Sequence, residues 1–196
     1  MPLEPVEDLA AAVRAAGDLV ADVRHEQWGA PTPCPEWNVR ELVNHVVSGT
    51  RLFTGILRGD AIVGPDALDP KAGDTLGDNP ASAYRKAAEE LLAAFRQPGV
   101  LEQFFDVPVG TVPGVVALHL RTVEELVHGW DLAQATGQQT RFGDDTVERA
   151  IEFSLGKLAD VPPERSPFAP PQPVLDHAPP LDRLVAMLGR EVDLRR

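Results

Sequence analysis

The chain has 196 residues, enough for one domain with a substantial core, and carries 18 basic against 30 acidic side chains, a formal net charge of −12. That balance excludes the basic face needed by a general nucleic-acid binder or by a protein that docks on anionic membranes. The single cysteine excludes an internal disulfide and a thiolate-rich zinc cluster. No stretch approaches the ~20 apolar residues of a membrane span. The acidic start MPLEPVEDLA lacks the basic region of a secretory leader. The expectation is a soluble cytoplasmic protein with neither a nucleic-acid nor a membrane partner. Arginine outnumbers lysine 15 to 3, the codon bias of a GC-rich bacterial genome.

In chain order, Val6, Leu9, Val13, Ala16, Val20 and Val23 recur at helical spacing and predict a first helix ending near Arg24 and His25. Three prolines in the loop GAPTPCPEW forbid its continuation. A second helix starts at Asn38, an N-cap with Glu41 at the capping-box position. It buries Leu42, Val43, Val46, Phe53 and Ile56, and stops at Gly59. The Gly/Asp/Pro-rich segment 59–80 reads as a mobile loop or the rim of a site. Asn79 and Pro80 open a third helix with a stripe of Ala87, Ala88, Leu91, Leu92 and Phe95, closed at Gly99. Residues 101–112 predict a short extended excursion or hairpin. A fourth helix spans about 113–135 with Val116, Leu120, Val123, Val127 and Trp130 as its seam and Gly137 as its stop. A fifth begins at Asp145 and buries Val147, Ile151, Leu155 and Leu158. The stretch 162–180 holds eight prolines, and a short helix over 181–188 follows and is expected to dock on the bundle. The fold class expected is all-α: an up-down antiparallel four-helix bundle with extra C-terminal helices. Residues 1–160 would form the bundle and 161–196 a Pro-rich tail within the same domain.

Glu124 and His128 stand one turn apart on one helix face, bordering the seam of Leu120 and Val127. A carboxylate turned toward a bundle interior is expensive unless it is paired, and a divalent cation would pair it while using the neutral imidazole. A third ligand must come from another helix, and His45, beside Leu42 and Val46, is the natural candidate. Gly49, one turn on, would leave room for a metal or ligand. Three N/O ligands with open positions suit a catalytic metal, zinc first, with nickel, iron or manganese as alternatives. The same Glu/His pattern also describes a weak surface pair, and His45 alone a satisfied core histidine.

The segment TPCPEWNVRELVNHV (32–46) resembles the start of the second helix in the DinB/YfiT-like superfamily, and in particular in the N-terminal domain of mycothiol-dependent maleylpyruvate isomerases. VEELVHGWDLA (123–133) resembles that family's second metal-binding helix. The end of the chain, FAPP (168–171) through LVAMLGR (184–190), resembles an actinobacterial subfamily of metal-binding proteins of unassigned function. The resemblance implies the bundle fold and metal ligands at His45, Glu124 and His128. It also implies a small-molecule thiol, mycothiol, as cosubstrate in thiol-dependent transfer or isomerisation. The isomerases carry a separate C-terminal domain that contributes to their active site, whereas only the Pro-rich tail and one short helix follow residue 160 here.

Other residues read more plainly. Asp131 is expected at a helix-end or loop hydrogen bond, with orientation of His128 as the alternative. Arg121 is expected in a surface or salt-bridge role, Cys34 as a small buried filler, and Trp37 and Trp130 as bundle packing. His119 points away from Glu124, His25 and His177 look exposed, and Tyr84 is unassigned. Two functions follow: a metal-dependent enzyme activating a small thiol or water, working as a monomer or homodimer, or a non-catalytic metal-binding or stress-response module.

Overall fold

The computed structural model describes residues 4–61, 64, 68–158, 168–175 and 177–193. They fall into two compact units, residues 1–140 and 141–196. The first holds α1 (Glu4–Ala21), α2 (Val39–Arg58), α3 (Pro80–Phe95), β1 (Phe104–Val107), β2 (Gly110–Pro113) and α4 (Gly114–Thr136). In the second, α5 (Asp144–Leu158) and α6 (Pro180–Met187) pack on each other. Among the described residues the architecture is helical apart from one antiparallel hairpin, in which Phe104 pairs with Pro113 and Val107 with Gly110.

In the first unit the packed pairs are α1 with α3 and α4, and α2 with the same two helices. The diagonals of the bundle are therefore α1–α2 and α3–α4, and α2 lies beside both α3 and α4. That adjacency brings residues some eighty positions apart onto facing surfaces.

Helix α2 begins where the sequence predicts. The Asn38 side chain accepts from the Glu41 amide at 2.9 Å, and the Glu41 carboxylate accepts from the Asn38 amide at 2.9 Å, a reciprocal capping box. Gly59 ends the helix in the left-handed region at φ 76°, where only glycine is unstrained. Asn79 caps α3 by accepting from Ser82, and Pro80 takes its first position. Leu42, Val43, Val46, Phe53 and Ile56 are buried as expected.

The stripes differ from the sequence reading in places: α1 ends at Ala21, leaving Val23 outside it and half-buried, and Leu92 on α3 is half-buried. On α4, Val116 and Leu120 are only half-buried, and Ala117, Leu118 and Arg121 face inward instead. From Arg121 to Ala133 every residue except Glu124 is buried, so the helix is enclosed on all sides and carries no single apolar seam. On α5 the buried face is Thr146, Val147, Ala150 and Ser154, while Leu155 is 57% exposed. Small residues define that face, and a search for large apolar side chains passes over them. The side chain of Leu158 and residues 162–167 of the Pro-rich stretch lie outside the described residues. Helix α6 buries Leu181, Leu184 and Val185.

The hairpin leads directly into α4. Gly114 N–H donates to the Gln103 carbonyl at 2.7 Å, and Val115 N–H to the Leu101 carbonyl at 2.9 Å. A Cβ on Gly114 would stand 2.0 Å from the Val100 carbonyl oxygen, a backbone atom that cannot rotate away. Gly114→Ala is therefore expected to cost at least about 2 kcal/mol of unfolding free energy through overpacking, measured by denaturant titration. Leu155→Ala, at an exposed position, should stay within about 0.5 kcal/mol of the parent.

Candidate metal centre

The two motifs meet where α2 crosses α4. His45 and His128 are 8% and 7% exposed, and the Glu124 side chain between them is 31% exposed. Glu124 Oε2 lies 3.3 Å from His45 Nε2 and 3.4 Å from His128 Nε2. One donor atom from each of the three side chains lies within 4.8 Å of the others. The imidazole rings stand edge to face with centroids 5.1 Å apart. The three residues singled out by spacing thus converge, with the carboxylate on the solvent side and the imidazoles behind it.

The opposite ring nitrogens determine which tautomer each histidine holds. His45 Nδ1 sits 2.8 Å from the Leu68 carbonyl oxygen, and His128 Nδ1 sits 3.0 Å from Asp131 Oδ2. Both partners are acceptors, and each Nε2 faces the Glu124 carboxylate, which is an acceptor as well, so each ring is held between two acceptors and its Nε2 proton is the one that a cation beside Glu124 would displace. This is the arrangement in which a histidine ligates through one nitrogen while the other is held by a carbonyl or carboxylate. Two imidazole nitrogens and a carboxylate, pre-oriented and open on one side, fit a divalent cation of the zinc type. Asp131, expected mainly at a helix-end contact, takes the alternative role and orients His128.

The loops complete the walls. Thr32 Oγ1 donates to the Cys34 and Trp37 carbonyls and accepts from the Cys34 amide, which freezes the proline-rich turn. The turn holds the Trp37 indole 4.5 Å from the His45 ring and 6.0 Å from the His128 ring, so Trp37 lines the site. It also turns Cys34 toward Asp131: the thiol, expected as a small buried filler, is only half-buried and donates to Oδ2 across 3.3 Å. Behind His45, Asn44 bolts the loop after α2. Its amide donates to the Pro70 and Gly73 carbonyls at 2.8 and 2.6 Å, and its oxygen accepts from the Thr75 amide and hydroxyl. The described part of the 59–80 segment is thus a pinned rim, and its Leu68 carbonyl orients a candidate ligand.

Gly49 does not leave room for a ligand. The Arg121 guanidinium fills that space, with Nη1 2.8 Å from where a Cβ would stand. Arg121 is 2% exposed. It donates to Glu125 Oε1 at 2.9 Å and to Thr50 Oγ1 at 3.1 Å, and lies over the Phe53 ring. The Tyr84 hydroxyl donates to the other oxygen of Glu125. Burial, reinforced by the charge of Glu125, pushes the Tyr84 hydroxyl well above its ordinary titration range. Tyr84 and Glu125 therefore matter structurally, and sequence reasoning missed both. The i,i+4 spacing of Arg121 and Glu125 was the available signal for Glu125, and no local pattern pointed to Tyr84. His119 joins neither group of converging donors, and His25 and His177 are exposed, as expected.

Burial opposes ionisation of Glu124, yet hydrogen bonds from His128 and His45 and the charges of His128 and Arg121 hold its carboxyl well below the ordinary 4.5. Burial likewise opposes charging of His128, but its contacts with Asp131, Cys34 and Glu124 raise it well above 6.5. In the metal-free protein the Glu124 contribution to stability is present above pH 4.5 and is lost as pH falls through the depressed value. The His128 contribution is present below pH 6.5 and is lost as pH rises through the raised value. The melting temperature of chelator-treated protein should accordingly peak between these limits and decline on the alkaline side, whereas a flat profile from pH 6.5 to 9 would contradict the pairing. Gly49→Ala is expected to displace Arg121 and cost about 1–3 kcal/mol, read by chemical denaturation.

Residues 9–133 match the family described as the mycothiol maleylpyruvate isomerase N-terminal domain. Two uncharacterized proteins of Mycobacterium tuberculosis, from strains CDC 1551 / Oshkosh and ATCC 25618 / H37Rv, are each 39% identical over 178 residues, covering 89% of this chain and 91% of theirs. Two crystal structures share the fold at 20% identity, covering 77% of this chain and 68% of the other. They are the mycothiol-dependent maleylpyruvate isomerase, with a TM-score of 0.58, and a histidine-to-alanine mutant of it, with a TM-score of 0.64.

Proposed function

The chain belongs to the mycothiol maleylpyruvate isomerase N-terminal domain family, and from that premise we propose that it is a metal-dependent enzyme activating a low-molecular-weight thiol for transfer or isomerisation. His45, Glu124 and His128 hold the cation through two Nε2 atoms and a carboxylate oxygen, with zinc the metal of choice for this N/O set. The observation that carries the reading is the geometry: each Nδ1 lies against a fixed acceptor, Leu68 O or Asp131 Oδ2, and each Nε2 faces Glu124 Oε2, where a cation would take the place of the proton between them. A bound cation supplies Lewis acidity, lowering the pKa of a coordinated thiol or water toward neutrality.

The protein's own side chains do the rest. Leu68 O and Asp131 aim the imidazoles, Trp37 covers them on one side, and the partly exposed Glu124 leaves the solvent side open to a small molecule. The chain's single thiol, Cys34, faces Asp131 on the far side of His128, so the reacting thiol arrives from outside. Mycothiol, used by the isomerase that shares the fold, is the proposed cosubstrate, and the cytoplasm is the proposed compartment. A second reading, a non-catalytic metal-binding module, is favoured by one observation. Asp131, Arg121 and Glu125, the neighbouring charged groups, are all engaged inward and supply no obvious general acid or base.

The test uses Cys34→Ser protein loaded with cobalt, so that no protein thiol contributes. Addition of mycothiol is expected to produce a thiolate-to-cobalt absorption band, and His128→Ala is expected to lower bound metal at least tenfold. Undiminished metal in His128→Ala would sink the ligand assignment. Full metal with no band and no thiol heat by calorimetry would leave the module reading in place of the enzyme.

A further inference from the structure

Behind His128, on the side away from Glu124, lies a second convergence of donors. Cys34 Sγ stands 3.3 Å from Asp131 Oδ2, and His128 Nδ1 stands 3.0 Å from the same oxygen. The three donor atoms lie within 4.8 Å of one another. Ligand atoms around a tetrahedral cation with bonds of about 2.0–2.3 Å are themselves about 3.3–3.6 Å apart, so little movement separates this cluster from a coordination shell. Asp131 is fully buried, and Cys34 is held by the turn that Thr32 locks. Unlike the first site, this one contains sulfur, and a thiolate selects soft cations.

We propose that Cys34, Asp131 and His128 Nδ1 form a second site, specific for a thiophilic divalent cation, that competes with the first site for one imidazole. A neutral imidazole has a single lone pair. The first site needs it on Nε2, with the proton on Nδ1 held by Asp131. The second needs it on Nδ1. On binding there, the Cys34 thiol proton passes to solvent and the imidazole proton moves from Nδ1 to Nε2, where it faces Glu124 Oε2 at 3.4 Å. His128 then becomes a hydrogen-bond donor to Glu124 and no longer a ligand beside it, and the first site retains only His45 and Glu124. The competition rests on the function proposed above, whereas the second site does not.

Cadmium is the probe, because a thiolate-to-cadmium band in the ultraviolet must arise from Cys34, the chain's single cysteine. The metal-free full-length double variant His45→Ala/Glu124→Gln, which lacks the first site, should show the band saturating at one equivalent. Adding Cys34→Ser should abolish it, and adding Asp131→Asn should weaken cadmium binding at least tenfold. Histidine nitrogen NMR of the double variant supplies a readout that does not depend on folding of the Asp131 variant: cadmium should shift His128 Nδ1 and leave Nε2 protonated. Absence of the band, a band unaffected by Asp131→Asn, or metallation at Nε2 would each overturn the site. In zinc-loaded parent protein, one equivalent of cadmium should release one zinc as the band grows. Zinc release without the band would overturn the competition. A parent that takes up no zinc would defeat the proposed function while leaving the double-variant result standing.

Discussion

Between Arg121 and Asp131, α4 turns Arg121, Glu124, Glu125, His128 and Asp131 into or against the interior of a helical bundle. Taking such groups from water costs several kcal/mol each unless partners replace the lost hydration. One helix cannot satisfy them all, so the rest of the fold is arranged to do so. Within α4, Arg121 pairs with Glu125 and His128 with Asp131. From α2 come Thr50 and His45, from α3 Tyr84, and from the proline-rich turn Cys34. The requirement to match these groups decides which elements must be neighbours more sharply than the apolar stripes do, since an all-apolar helix face would accept many partners.

The same matching produces two polar layers of different character. The deeper one, Arg121 with Glu125, Tyr84 and Thr50, is sealed. It ties three helices together, and its geometry occupies the space a glycine left at position 49. The outer one, Glu124 with His45 and His128, is closed behind and open in front. A sealed layer fixes the position of α4, and an open layer placed one turn further along inherits that precision.

The helices, their caps and the three converging residues were legible in the sequence because each has a local signature. Asn38 with Glu41, Asn79 with Pro80, and Glu124 with His128 are all readable within five residues. What was not legible depends on contacts between distant segments. Arg121 reads as a surface or salt-bridge residue, and the ion pair is there, but only the enclosure by Gly49 and Glu125 shows that it is buried. Cys34 reads as filler until the turn is seen to aim it at Asp131, 97 positions away. The inward face of α5 combines Val147, which the sequence reading found, with Thr146, Ala150 and Ser154, residues that carry little hydrophobic signal. Asp131 could be read either way from sequence, because an i,i+3 neighbour of a histidine either orients it or caps the helix, and only the rotamer decides.

The carbonyl that orients His45 belongs to Leu68, in a loop whose position is dictated by Asn44 and by the Arg40–Asp74 ion pair. Whatever shifts that loop also re-aims an imidazole 23 positions earlier in the chain. Conversely, any occupant that holds His45 Nε2 in place holds the loop with equal free energy. Occupancy and loop order are thus two faces of one equilibrium. A substitution in the loop would therefore adjust how tightly the site holds any occupant, with His45, Glu124 and His128 themselves left untouched.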